Sequence, residues 1–145
     1  MKAVAPDTTA GISEFQLARV LLVDDNPASR LTLQTVLEAS GYHVDSAASA
    51  AEAVGKMDSH EYELVLSDLQ MESPEAGLRV LAHARIMDYE PATAIVTTYQ
   101  NSQPSNQKRV LIKPIDVPGL LSKVAQLISA RAARRMRREL RQASA

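Results

Sequence analysis

The sequence predicts an α/β fold in which a parallel sheet of five strands has helices on both faces. Short apolar runs, such as residues 20–23 and 64–66, alternate with stretches in which apolar residues recur at helical spacing. The runs are apolar along their whole length, which is typical of parallel strands that are buried on both faces. Three of the runs end in charged residues, and folds of this class usually place their chemistry at the carboxyl ends of the strands.

Turn and capping residues divide the chain into elements. Asn26 or one of the acids before it can cap a helix that contains Pro27 in its first turn, and Gly41 is a suitable stop. Ser49 and Glu52 form a capping box for the next helix. Strands are predicted at about 19–23, 42–47, 64–67, 93–97 and 110–112, and helices at about 27–40, 50–60, 76–87 and 117–141.

The connection before the fifth strand is unusually short. Only the eleven residues 99–109, with Pro104 among them, separate the fourth strand from the fifth. A parallel crossover that contains a helix needs about a dozen residues or more. We therefore expect the fourth helix of the fold to be shortened or absent, whereas the last helix is extended.

Length and charge indicate one domain with tails. A chain of 145 residues with 46% hydrophobic residues can form a single core. Residues 1–17 have few apolar side chains and are expected to be a disordered leader, followed by a domain at 18–130 and a basic helical extension at 131–145. The net charge of -1 conceals a charge of +5 in the extension and -6 in the rest.

Several classes of protein are excluded by composition. The chain has no cysteine, so it has neither disulfides nor a thiolate zinc site. The first residues lack the apolar run of a signal peptide, and no window approaches 18 uninterrupted apolar residues. We expect a cytoplasmic protein without a membrane span.

Charged and polar residues at the strand ends predict a reactive site. Asp24 and Asp25 follow the first strand and Asp68 follows the third, which makes an oxygen-rich site suited to Mg²⁺. Thr97 ends the fourth strand and Lys113 follows the fifth. With a cation and a lysine to offset its charge, Asp68 could attack phosphorus. Taken singly, the acids could instead be helix caps or ordinary strand-end residues.

Five short motifs together resemble a known family. The chain is similar to a response-regulator receiver domain of two-component signalling, with flavodoxin-like topology, over about residues 18–130. The residues that carry the resemblance are Val23-Asp24-Asp25, Asp68-Leu69-Gln70-Met71, Gly77-Leu78, Thr97 and Lys113-Pro114.

The resemblance implies a role for each of the acids. Asp68 would be the phosphoacceptor, and Asp25 would be a direct ligand of the Mg²⁺ cofactor. Asp24 would act close by or through water, and the main-chain carbonyl of Gln70 would complete the protein ligands. The resemblance therefore implies a metal site that is formed by Asp24, Asp25, Asp68 and Gln70.

The resemblance also implies partners and a mode of action. Thr97 and Lys113 would contact the phosphoryl group on Asp68. Such a protein is a signalling phosphoacceptor rather than a classical enzyme, although it can catalyse its own phosphorylation and dephosphorylation. Its partners would be a sensor histidine kinase or phosphotransfer protein and a downstream protein whose binding changes on phosphorylation.

The sequence departs from the usual family pattern at four places. Glu72 stands where proline commonly follows the methionine of the acceptor loop, and Ala76 stands where the family has aspartate before glycine. Val110 replaces the aromatic residue that usually lies three positions before the lysine, and the Gly-Ala pair before the fifth strand is missing. The departures leave the predicted phosphorylation pocket complete and change the residues of the usual output surface.

Three other functions share parts of this pattern. A haloacid-dehalogenase-type phosphatase needs a second aspartate as general acid two residues after the first, where this chain has Gln70. Binding of nucleic acid through the six arginines of the extension, and docking without phosphorylation, remain alternatives. Met136 and Leu140 lie four residues apart and favour pairing with a partner or a second copy over nucleic acid, since no aromatic residue follows Tyr99 to stack on bases.

Overall fold

The computed structural model of the chain describes residues 18–68, 71–97, 110–112 and 117–144. The described strands are β1 (Arg19–Val23), β2 (His43–Ala47), β3 (Leu64–Asp68), β4 (Ala92–Thr97) and β5 (Val110–Ile112). The described helices are α1 (Pro27–Ala39), α2 (Ala50–Ser59), α3 (Pro74–Arg85) and α4 (Val117–Ser144). The expected leader 1–17 and the crossover segment 98–109 lie outside the described residues.

All described strands belong to one parallel sheet, in the order β2-β1-β3-β4-β5. Neighbouring strands are paired up to their carboxyl ends: Val23 of β1 pairs with Ser67 of β3, and Asp68 of β3 pairs with Val96 of β4. The chain reverses its direction of winding between β2 and β3, since β1 and β3 are neighbours. Sheets of this kind bind ligands at their carboxyl edge, next to such a reversal.

The two faces of the sheet have separate cores, because side chains of a strand alternate between faces. Val20 and Leu22 of β1 pack with residues of α1 and α4, including Leu33 and Val124. The intervening Leu21 belongs to the other core. That second core also contains Val23, Ala53, Met57, Val65, Val80 and Ala84, and so includes residues of α2 and α3.

The predicted α/β class with a parallel sheet is confirmed, and the helix caps largely follow the sequence. Asn26 caps α1 by accepting a hydrogen bond from the N–H of Ser29 at 3.0 Å. Ser49 caps α2 by accepting from the N–H of Glu52 at 3.1 Å, while the Glu52 carboxylate accepts from the N–H of Ala48 at 2.8 Å. The two bonds satisfy donors that have no partner inside the helix.

The predicted bounds of the third helix are wrong by two residues. The sequence pattern placed it at 76–87, whereas α3 begins at Pro74 and ends at Arg85. Proline is well suited to the first turn, because its fixed φ is helical and its missing N–H would have no partner there. Ser73 is the capping residue and accepts no side-chain hydrogen bond of the capping type.

The last helix extends beyond the part of it that packs against the core. α4 has 28 residues and is therefore about 42 Å long. Leu120 and Val124 in its first half are buried, whereas Met136 and Leu140 in its second half are 62% and 61% exposed. Within the described ranges, none of the helices combines the length and the apolar composition that a bilayer crossing requires.

Candidate functional site

The carboxyl ends of the parallel strands bring the predicted residues to one edge of the sheet. Asp24 follows the last residue of β1, and Asp68 is itself the last residue of β3, one position further along the strand than the sequence pattern predicted. Thr97 ends β4 and pairs in register with Ile112 of β5. The strand ends that the sequence singled out are therefore neighbours in the sheet.

Three of the predicted carboxylates form a cluster. Asp24, Asp25 and Asp68 each offer an oxygen atom, and these atoms lie within 4.8 Å of one another. Asp24 is fully buried and Asp68 is 8% exposed, while Asp25 is exposed to solvent. Carboxylates at this separation repel one another strongly where burial lowers the effective dielectric constant, and a divalent cation would offset that repulsion. The cluster fits a hard cation with oxygen ligands and access to water.

Asp24 is fixed by main-chain contacts on both sides. Its N–H donates to the carbonyl of Ala47 at 3.0 Å, which continues the pairing between β1 and β2. Its Oδ1 accepts from the N–H of Asn26 at 3.0 Å. The capping residue of α1 is Asn26. Asp24 and Asp25 are therefore not the caps of this helix.

Arg30 also supports this turn, through a contact that the sequence pattern does not predict. Its Nη1 donates to the main-chain carbonyl of Asp24 at 2.8 Å, reaching back from the first turn of α1. The contact holds the carbonyl next to the acidic cluster and brings a positive charge near it. The direction in which α1 leaves β1 brings the two groups together. The sequence carries no signal for this contact, since an arginine six residues after an acid is common.

The segment that follows Asp68 is tied to a neighbouring helix. Residues 69–70, and Gln70 with them, lie outside the described residues. In the described part, the Glu72 carboxylate accepts a hydrogen bond from the N–H of Ala50 at 3.1 Å. Ala50 is the first residue of α2 and has no partner for this N–H within its own helix. Glu72 therefore has a structural function at the position where the resembled family commonly has proline.

Two other predicted site residues are described only in part. The main chain of Thr97 lies at the end of β4, next to β5, but its side chain is outside the description. Lys113 directly follows Ile112, the last residue of β5, and is itself outside the described residues. The roles of both residues stay predictions.

The chain matches a family model over most of its length. The model is the response regulator receiver domain, and it matches residues 20–125. Among curated proteins, the sensor kinase/phosphatase CqsS for the autoinducer CAI-1 from Vibrio cholerae is 33% identical over 116 residues, which are 74% of this chain and 17% of that protein. The alginate biosynthesis regulator AlgB from Pseudomonas syringae is 40% identical over 81 residues, or 56% and 18% of the two chains. The chain thus spans less than a fifth of each relative.

Solved structures give the same result. The response regulator TrrA from Thermotoga maritima, solved in complex with Mg²⁺ and BeF, is 29% identical with a TM-score of 0.66, covering 77% of this chain and 99% of TrrA. A receiver domain protein from Methanospirillum hungatei is 26% identical with a TM-score of 0.71, covering 81% and 98% of the two chains. Since the family model covers well over half of the sequence, the chain belongs to the response regulator receiver domain family of two-component systems.

Proposed function

We propose that Asp68 accepts a phosphoryl group in a Mg²⁺-dependent reaction and that its phosphorylation switches the interaction with a protein partner. The observation that carries the proposal is the cluster of Asp24, Asp25 and Asp68, whose oxygen atoms lie within 4.8 Å of one another at the carboxyl edge of the sheet. A site with this donor set fits Mg²⁺, which prefers a few carboxylates and retained waters. TrrA, to which the chain is similar, was solved with Mg²⁺ and BeF.

The three acids would have different roles, with Asp68 as the nucleophile and the other two at the metal. Asp25 is exposed and would bind the metal directly, whereas the buried Asp24 would act close by or through water. The carbonyl of Gln70 would complete the protein ligands. Bound Mg²⁺ would neutralise the carboxylates and the incoming phosphoryl oxygens, which otherwise repel one another.

The transfer itself is a displacement at phosphorus. A carboxylate oxygen of Asp68 forms the new P–O bond while the bond from phosphorus to the donor nitrogen breaks, and the donor nitrogen takes up a proton. The donor would be a phosphohistidine of a sensor histidine kinase or phosphotransfer protein. Thr97 and Lys113 would hold the phosphoryl oxygens. Thr97 ends β4, the neighbour of the strand that ends in Asp68, and Lys113 follows β5, the next strand along the same edge.

The proposal is tested by labelling with a small phosphodonor such as phosphoramidate. The wild-type chain should acquire a label that hydroxylamine releases, and EDTA should prevent it. Asp68→Asn should remove the label altogether, whereas the control Asp88→Asn, an exposed aspartate away from the sheet edge, should keep it. Undiminished label in Asp68→Asn would contradict the proposal, and so would labelling that proceeds in EDTA.

Lys113 is expected to act after the transfer rather than in it. Lys113→Ala should still be labelled, but the change in amide exchange that follows phosphorylation should be reduced, since the lysine would no longer pull on the phosphoryl oxygens. A loss of labelling as complete as in Asp68→Asn would show that Lys113 is needed for the reaction itself.

Binding of nucleic acid through the extension has less support. Arg131, Arg135 and Arg138 donate to the chain's own carbonyl and carboxylate groups. Three of the six arginines of the extension are therefore already engaged. A receiver that only docks a partner without phosphorylation would have no need for three clustered acids, so we prefer the phosphoacceptor.

A further inference from the structure

The first turn of α1 brings a positive charge close to the acidic cluster. Arg30 is the fourth residue of this helix, and its Nη1 donates to the main-chain carbonyl of Asp24 at 2.8 Å. The arginine is half-buried, because its side chain folds back onto the turn between β1 and α1. A residue of α1 thus contacts the segment that supplies two of the three clustered acids.

The helix itself does not explain an arginine at this position. The amino end of a helix carries a partial positive charge, so a basic side chain in the first turn is disfavoured. The first turn of α1 contains no acidic residue that would offset the charge of Arg30. Within the described part of the chain, Arg30 also forms no ion pair with a carboxylate. Its charge rests on a neutral carbonyl and can act on other groups nearby.

The carboxylates of the cluster lie within range of this charge. The carbonyl oxygen that Arg30 binds and the carboxylate of Asp24 belong to one residue, and covalent geometry keeps them within about 5 Å of each other. With the hydrogen bond of 2.8 Å added, the guanidinium group lies roughly 8 Å or less from that carboxylate. Salt screens charges over about 8 Å at physiological ionic strength, and less where a group is buried, as Asp24 is.

A positive charge at this place has opposite effects on the metal-free and the metal-bound site. Without metal, the three carboxylates repel one another, and the guanidinium group of Arg30 offsets part of that repulsion. With a divalent cation among the carboxylates, the repulsion is already offset, and the arginine faces a second positive charge. Arg30 therefore stabilises the metal-free site relative to the metal-bound site.

We propose that Arg30 is a positioning residue that also serves as a built-in counter-cation, that is, a positive charge of the chain itself that partly replaces the metal. Its hydrogen bond holds the main chain between Asp24 and Asp25, and its charge keeps three like-charged groups together when the metal is absent. The same charge lowers the affinity of the site for Mg²⁺. The inference rests on the proposed function, which makes Mg²⁺ the metal of this site.

Titration calorimetry with MgCl₂ on the metal-free chain measures the effect on affinity. Arg30→Gln removes the charge and should lower the Kd for Mg²⁺ about three- to tenfold, as expected when one like charge is lost at this distance. Arg30→Lys keeps the charge and should bind Mg²⁺ like the wild type, since a single hydrogen bond does not need the fork of a guanidinium group. A residue that only held the turn would give the opposite result, with a higher Kd in Arg30→Gln.

Thermal melting in EDTA measures the effect on the metal-free site. The Tm of Arg30→Gln should fall, whereas that of Arg30→Lys should stay near the wild-type value. In the background of Asp25→Asn, which removes one of the three clustered carboxylates, the fall caused by Arg30→Gln should be smaller. The reason is that the arginine then has less negative charge to offset, and such a dependence of one substitution on another measures their interaction. Loss of the hydrogen bond alone would cost the same in both backgrounds.

Two controls separate a local charge effect from a general one. Arg137→Gln removes an equal charge from an exposed position that lies 20 residues beyond the start of α4, or about 30 Å along the helix. This variant should change neither the Kd for Mg²⁺ nor the Tm in EDTA. Added KCl screens charges, so the Kd of Arg30→Gln and that of the wild type should become more alike as the KCl concentration rises.

The wild-type chain separates a failure of this inference from a failure of the proposed function. If the wild type neither binds Mg²⁺ nor gains Tm in its presence, the proposed function fails, and the effect of Arg30 on Mg²⁺ fails with it. If the wild type binds Mg²⁺ and Arg30→Gln binds it equally or more weakly, the proposed function stands and the counter-cation is wrong. A fall of Tm in EDTA that is the same with and without Asp25→Asn would overturn the counter-cation as well.

Discussion

The carboxylate of Glu72 accepts a hydrogen bond from the N–H of Ala50 at 3.1 Å, and it thereby joins the loop after Asp68 to the first turn of α2. The contact also places a negative charge near the positive end of the helix dipole. Glu72→Ala should lower the free energy of unfolding by about 1 kcal/mol, which is typical for a lost contact at a helix start. Urea unfolding measures the change.

Hydrogen exchange locates the effect of Glu72→Ala. Amides of residues 71–73 and of the first turn of α2 should exchange faster, whereas those of α1 should not change. The control Glu61→Ala alters an exposed acid that lies outside the helices. If Glu61→Ala costs as much stability as Glu72→Ala, the loss does not come from the contact with Ala50.

Asp25→Asn should reduce the stabilisation of the fold by Mg²⁺. The substitution removes one of three clustered carboxylates. A site with fewer negatively charged ligands binds a divalent cation more weakly. Bound ligand raises the melting temperature according to its concentration relative to Kd. The Mg²⁺-dependent rise in Tm should therefore shrink in Asp25→Asn and stay unchanged in Asp88→Asn.

Stability without metal gives an independent check of the cluster. In EDTA, the Tm of Asp25→Asn should be no lower than that of the wild type, because the substitution removes one of three charges that repel one another. A clear fall of Tm in EDTA would show that Asp25 stabilises the fold through another contact, so that the smaller response to Mg²⁺ would have a different cause.

Tyr89 should make the fold sensitive to alkaline pH. Its hydroxyl donates to the carbonyl of Met57 at 2.9 Å. Burial, followed by the charges of Asp58, Glu61 and Asp88, raises the pKa of Tyr89 from 10.0 to about 12. Between these values the folded chain binds more protons than the unfolded chain, so the free energy of unfolding falls as the pH rises.

Tyr89→Phe tests this dependence on pH. The substitution should cost about 1 kcal/mol at neutral pH, because the carbonyl of Met57 loses its donor. From pH 10 to 12 the free energy of unfolding of this variant should fall less steeply than that of the wild type. The fall should not vanish, because burial, followed by a hydrogen bond to Asp45, raises the pKa of Tyr62 as well. An unchanged slope in Tyr89→Phe would contradict the assignment to Tyr89.

Arg131, Arg135 and Arg138, which bind the turn before β4, should control the order of the extension. Arg131→Gln with Arg135→Gln removes three hydrogen bonds to the carbonyls of Tyr89 and Glu90. Amides of residues 132–141 should then exchange several-fold faster, as expected when about 1 kcal/mol of anchoring is lost. The control Arg134→Gln with Arg137→Gln alters two exposed arginines of the same helix and should have a smaller effect. Equal effects would show that the contacts with Tyr89 and Glu90 do not order the extension.

The class of fold and the chemistry at one edge of the sheet follow from the sequence alone. Apolar strands that alternate with helices can bury both faces only in a parallel sheet, and parallel strands bring their carboxyl ends together. The grouping of Asp24, Asp25 and Asp68 follows from that rule without any knowledge of distances. The caps Asn26 and Ser49 are likewise local, because a helix cap involves residues only two or three positions apart.

Contacts between residues that are far apart in sequence depend on how the elements pack in three dimensions. Arg30 reaches Asp24 because of the angle at which α1 leaves β1, and Glu72 reaches Ala50 because α2 and the loop after β3 are neighbours at the sheet edge. Arg131 and Arg138 bind Glu90, which lies 41 and 48 positions before them. The sequence favours pairing of the extension with a partner or a second copy, because Met136 and Leu140 lie on one face of the helix. The structure adds an anchor within the chain itself, because a guanidinium group can bind main-chain carbonyls, which have no signature in sequence.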